Sequence, residues 1–126
     1  MNFNDTRAIY LQIADYICEQ ILLQHWKEGE RIPSVREMGI ALEVNPNTVM
    51  RTYELLQSRE IVFNKRGIGF FVADDAVNKI VTHQRKEFTE QELPDVFKKM
   101  FLLKMDLTEL EKEYKSYLDK HTLRNK

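Results

Sequence analysis

The sequence predicts a mainly α-helical chain with one small β-hairpin, and three observations carry that reading. Ile9, Ile13, Ile17 and Ile21 recur at every fourth position, the spacing of one helix face. Two further helical patterns are separated only by "EVN", which leaves room for no more than a tight turn. After Arg59 the apolar period shortens from 3.6 to about 2 in "IVFNKRGIGFFV", with β-branched and aromatic runs either side of Lys65, Arg66, Gly67 and Gly69, the mark of paired strands around a turn.

The first helix is expected from about Arg7 to Leu23, with Tyr10, Ala14 and Tyr16 widening its apolar stripe. Gly29 and Pro33 interrupt the pattern in "HWKEGERIP", where Arg31 and Ile32 have room for a very short strand. In "SVRE", Ser34 and Glu37 have capping-box spacing, so a second helix starts there, burying Val35, Met38, Ala41 and Leu42. Gly39 in its middle costs about 1 kcal/mol against alanine unless another backbone approaches, which marks it as a helix-crossing point.

The third helix opens in "VNPNTVMRTYELL". Asn45 can cap the first free amides, and Pro46 fits the next position because its missing N–H is not needed there. Val49, Thr52, Tyr53 and Leu56 form the core side, while Asn47, Arg51, Glu54 and Ser58 fall opposite. With so short a connection the second and third helices meet steeply, as a helix-turn-helix. A hairpin with a basic tip, Lys65, Arg66, Gly67 and Gly69, follows. Three helices and then a hairpin are the layout of a winged helix-turn-helix domain, expected over residues 1–73.

Residues 74–126 return to helical spacing in three stripes: Val77, Ile80, Val81 and Phe88; Leu93, Val96, Phe97, Met100 and Phe101; Leu107, Leu110, Tyr114, Tyr117 and Leu118. Pro94 predicts a break between the first two, and Thr108 with Glu111 a capping box for the last helix. So many aromatic residues cannot all be covered within a few short helices, and a second copy of the chain is the simplest cover. Ile80, Phe88, Phe97, Met100, Phe101, Tyr114 and Tyr117 are the expected dimerisation residues.

The bulk composition excludes several classes. The chain has 126 residues, 43% hydrophobic and 31% charged, which is globular rather than disordered. No apolar run approaches the roughly 18 to 20 residues of a membrane span, and "MNFNDTRAIY" lacks signal-peptide order, so a cytoplasmic protein with no membrane partner is expected. Cys18, the single cysteine, is placed among apolar residues and reads as a buried small hydrophobe. His25, His83 and His121 are scattered and no metal-ligand or phosphate-loop spacing occurs, so neither an enzyme nor a metal or other cofactor is expected. With 19 basic against 20 acidic residues there is no global positive field; a polyanion would have to be met by a local patch.

The front of the third helix supplies such a patch. The first residues of a recognition helix are those that reach base edges when it enters the major groove of double-stranded DNA. Asn pairs bidentately with adenine and Arg with guanine, which makes Asn47 and Arg51 the base-reading candidates, with Asn45 and Thr48 at the cap or on phosphate. Arg36 carries its charge at the unfavourable end of the second helix, and a phosphate would relieve that conflict; Ser34 stands beside it. Lys65, Arg66 and Gly67 form a wing that can lie along the duplex. The plainer alternatives are that Asn45 only caps, that Thr48 only satisfies the first turn, that Arg51 pairs with Glu54 or another surface acid and Arg36 with Glu37 or Glu43, and that the hairpin tip is a solvated turn. A winged helix that docks on protein is the rival reading, against which polar Asn47 and Arg51 argue, since such faces centre on aromatic anchors.

Four blocks in order, "IYLQIADYI", "GERIPSVREMG", "VNPNTVMRTYELL" and "RGIGFFV", give residues 7–73 a resemblance to the DNA-binding domain of the GntR family of bacterial transcription regulators. The resemblance implies that Arg36, the arginine after P-S-x, and residues of the third helix contact operator DNA, and that Arg66 and Gly67 reach the minor groove. The "NPNTV" form with a short helical tail resembles the YtrA-type branch, which implies a homodimeric repressor, often of a transporter operon. Other branches carry arginines where this chain has Pro46 and Met50, so Arg51 is expected to take that role one residue later. Glu60 stands where a glycine is usual, and "GIGFF" replaces G-x-G-T-F. The tail is too short for the larger effector domains of other branches, so a small-molecule pocket would have to lie between subunits or be absent.

Overall fold

The computed structural model describes residues 7–124. Its elements, in order, are α1 (Ile9–Leu22), α2 (Val35–Leu42), α3 (Pro46–Ser58), strands β1 (Val62–Lys65) and β2 (Gly69–Val72), α4 (Ala76–Glu87), a π-helical turn (Phe88–Glu92), α5 (Leu93–Leu102) and α6 (Leu107–Arg124). The chain divides into two compact units between Gln84 and Arg85, within α4. No helix among the described residues is long and apolar enough to cross a membrane.

The first unit closes around one core. Ile13, Ile17 and Ile21 of α1 meet Val49, Tyr53 and Leu56 of α3, all without exposed surface, and Met38, Ile61, Val62, Val72, Ala76 and Ile80 complete the cluster. Ile9, the first residue of the α1 stripe, is exposed. Cys18 is buried as expected, and burial, with the Asp15 carboxylate nearby, pushes its thiol up to about 12, so it stays protonated and unreactive.

On α2 the capping box forms: the Glu37 N–H donates to Ser34 Oγ at 3.0 Å and the Ser34 N–H to Glu37 Oε1 at 3.0 Å. Met38 is buried, with Val35 and Leu42 half-buried, but Ala41 is exposed. The core stripe of this short helix runs through Val35, Met38 and Leu42, and a residue three positions past Met38 falls about 60° to the other side of it. Gly39 is the crossing point: a methyl group there would stand 3.0 Å from the Val44 carbonyl and 3.6 Å from the Pro46 ring.

β1 and β2 pair antiparallel, Val62 opposite Val72 and Lys65 opposite Gly69. The short strand expected at Arg31 and Ile32 is a single bridge from Arg31 to Phe71, supported by the Ile32 N–H donating to the Phe70 carbonyl at 2.9 Å. Glu60, at the site of the usual glycine, has φ 60°, so this position does use the left-handed region that glycine enters most easily.

In the second unit Pro94 occupies the first turn of α5, where its missing N–H costs nothing, and the π-helical turn precedes it. The cap of α6 differs from the expected Thr108. Asp106 Oδ1 accepts from the Glu109 N–H at 2.9 Å and the helix starts at Leu107, because the earlier carboxylate is already in capping position.

Candidate nucleic-acid interface

Helix α3 owes its sharp start to Asn45 and Pro46. Asn45 Oδ1 accepts from the Asn47 N–H at 2.8 Å, so this side chain is engaged as a cap. The Asn47 side chain is left exposed two residues beyond, with Met50, Arg51 and Glu54 on the same outer face, and Thr48 is half-buried beside the core edge. Thr52, fully buried, donates its hydroxyl proton to the Tyr10 carbonyl at 2.7 Å and lies 3.3 Å from the Thr48 carbonyl, which ties α3 to the start of α1.

Arg51 does not pair with Glu54. Its guanidinium carbon lies 3.8 Å from the centroid of the Tyr10 ring, a cation–π contact. Arg36 on the first turn of α2 is exposed, and neither Glu37 nor Glu43 takes it into an ion pair. The hydrogen bonds from Ser34 hold the Glu37 carboxyl below the usual carboxylate range, so it stays charged at the favourable helix end. The Ser34 oxygen is used as an acceptor, while its hydroxyl proton remains available to a phosphate.

On the wing, Phe63 and Phe71 stack with centroids 5.7 Å apart, and Lys65 Nζ stands 4.7 Å from the Phe71 centroid. Arg66 lies in the exposed turn, where Gly67 takes φ 79° with nothing near its missing side chain, so backbone can approach a surface closely. Tyr53 joins these parts. Its hydroxyl donates to the Pro33 carbonyl at 2.6 Å, just before α2, and its ring meets Phe70 of β2 edge-on at 4.9 Å. Burial raises the Tyr53 phenol well above its ordinary value, so that bond persists over the physiological range.

The residues expected to dimerise fall into two groups. Phe88, Phe97, Phe101, Tyr114 and Tyr117 are exposed, Phe101 to 83%. Ile80 is not available to any partner: at 1% exposure it is packed into the first unit's core, because α4 begins there. Met100, at 8%, is also buried, within α5.

One contributor was not legible in the sequence and a second only in part. Tyr10 looks like one more stripe residue, and only the crossing of α1 over α3 brings its ring to Arg51. The Lys65 platform had a readable signal, since strand alternation puts Phe63 and Lys65 on one face, though the partner Phe71 depends on register.

This geometry defines a winged helix-turn-helix domain of the DNA-binding type, with an open recognition helix and with Arg36, Arg51 and Arg66 outside the ion pairs found among the described residues. Comparison with known proteins agrees. The gntR family of bacterial regulatory proteins matches residues 9–72. YhcF, an HTH-type transcriptional regulator of Bacillus subtilis, is 36% identical over 117 residues, spanning 93% of this chain and 95% of that protein. The HTH-type transcriptional repressor YtrA of Bacillus subtilis is 34% identical over 83 residues, 66% of this chain and 64% of that one. The crystal structure of a GntR-family regulator from Bacteroides thetaiotaomicron superimposes with TM-score 0.77 at 46% identity, covering 90% of this chain and 99% of that one. The chain belongs to the gntR family of bacterial regulatory proteins, DNA-binding transcriptional regulators rather than enzymes.

Proposed function

We propose that this regulator is a cytoplasmic homodimeric repressor that binds an inverted-repeat operator, with a transporter operon as its target. Residues 1–73 bind DNA and 74–126 pair two chains, Ile80 excepted. Asn47 and Arg51 read base edges, while Ser34, Arg36, Thr48, Lys65, Arg66 and the Gly67 backbone meet phosphate and sugar; Asn45 shapes the helix tip. The observation that carries this reading is the exposed front of α3, where Asn47 and Arg51 are both exposed and no acid among the described residues pairs with the guanidinium. The similarity to YtrA, a repressor by name, supports repression. The exposed apolar face of the tail supports pairing. Two recognition helices then address half-sites about one helical turn apart.

Fluorescence anisotropy with a duplex selected from a random pool tests it. Affinity should fall steeply with salt, log K against log salt having a slope of about −0.9 per phosphate contacted. Arg51→Ala should relax preference at one base pair by about 1 to 3 kcal/mol, whereas Arg36→Ala and Arg66→Ala should weaken all sequences alike. A salt-insensitive, micromolar response would favour a protein-docking module instead.

A further inference from the structure

The Arg51 side chain is long and has many rotamers, and a guanidinium reads a guanine well only when its plane is aligned with the base edge. In this chain the guanidinium already rests against a ring. The guanidinium carbon stands 3.8 Å over the Tyr10 ring centroid, close enough for face contact. Tyr10 is itself held: its carbonyl accepts the Thr52 hydroxyl at 2.7 Å, and Thr52 is fully buried on the turn next to Arg51. The backbone that carries the ring is thus fastened to the helix whose Arg51 side chain meets that ring.

We propose that Tyr10 is a positioning residue for sequence readout: its ring, on α1, presets the Arg51 guanidinium so that the in-plane donors meet a base edge without first being ordered. This rests on the reading of Arg51 as a base contact. Stacking covers the face of the guanidinium and leaves its edge donors free, which is the combination a bidentate contact requires. A lysine at 51 has no plane to stack and no fork to present.

The test uses the full chain and two duplexes, the enriched one and the same duplex altered at the base pair whose preference Arg51→Ala erases. The ratio of the two affinities is the readout, with thermal unfolding run alongside. Tyr10→Phe keeps a ring face and should keep the ratio. Tyr10→Leu keeps bulk without the face and should lower the ratio by about fivefold, with affinity for the altered duplex unchanged. Arg51→Lys should lower the ratio as well. In an Arg51→Ala background, Tyr10→Leu should change nothing further.

The proposal is overturned if Tyr10→Leu keeps the wild-type ratio, if it weakens both duplexes equally as a purely structural defect would, or if its effect persists without Arg51. Should Arg51→Ala erase no preference, the reading of Arg51 fails first and takes this inference with it. That outcome is told apart by the Arg51 variant alone.

Discussion

The two units of this chain handle their apolar residues in opposite ways. In the first, the isoleucines of α1, the inner face of α3 and the strands enclose one another, and Tyr53 is sealed with its hydroxyl satisfied. In the second, Phe97, Phe101, Leu102, Leu103 and Leu107 all remain exposed, and Met100 is the one residue of α5 that is buried. A unit that closes on itself can present polar side chains outward in fixed positions. A unit left open keeps its apolar surface for something else, and a second copy is the cover proposed above.

The largest effect should come from breaking the closed unit. Tyr53→Ala removes a buried ring and the bond to Pro33, and should destabilise the chain by about 3 to 5 kcal/mol in urea unfolding. A change below about 1 kcal/mol would mean that the first unit's core does not depend on this anchor. The open unit should behave otherwise. Phe101→Asp should leave folding of the isolated chain within about 0.5 kcal/mol, yet raise the dimer dissociation constant about a hundredfold by placing a lone charge in the interface. Sedimentation velocity showing an intact dimer would remove Phe101 from that interface.

A smaller effect sharpens the picture of how α2 is set. Ser34→Ala should cost about 1 kcal/mol by removing the acceptor for the Glu37 N–H. It should also change the acid limb of the stability curve. The Glu37 carboxyl is held below the usual carboxylate range in the folded chain. Its contribution is therefore present above the ordinary carboxylate pKa and is lost as pH falls through the lower, folded value. Comparing wild type with Glu37→Gln across acid pH should show the wild type alone losing that increment.

Much of the recognition unit was readable from residue order, and the reasons are local. Caps act within one turn, which is why the roles of Ser34, Glu37 and Pro46 and the start of α3 were accessible. Where several oxygens compete the local rule is less decisive, and Asp106 displaced Thr108 as the cap of α6. The stripe argument erred at Ala41, whose position on a two-turn helix is set by where α3 crosses at Gly39. It erred again at Ile80, because periodicity shows that a face is apolar but not which neighbour covers it.

The sequence by itself determined the element order, the inward and outward faces of α3, and the residue types offered at its tip. These follow from period, capping and turn chemistry, which operate between near neighbours along the chain. Only the tertiary structure decided that Arg51 rests on Tyr10, that Tyr53 joins the segment before α2 to the wing, and that α4 begins in the recognition unit's core. Each of those contacts joins residues far apart along the chain. Their existence depends on the angle and depth at which helices pack, which no local pattern encodes.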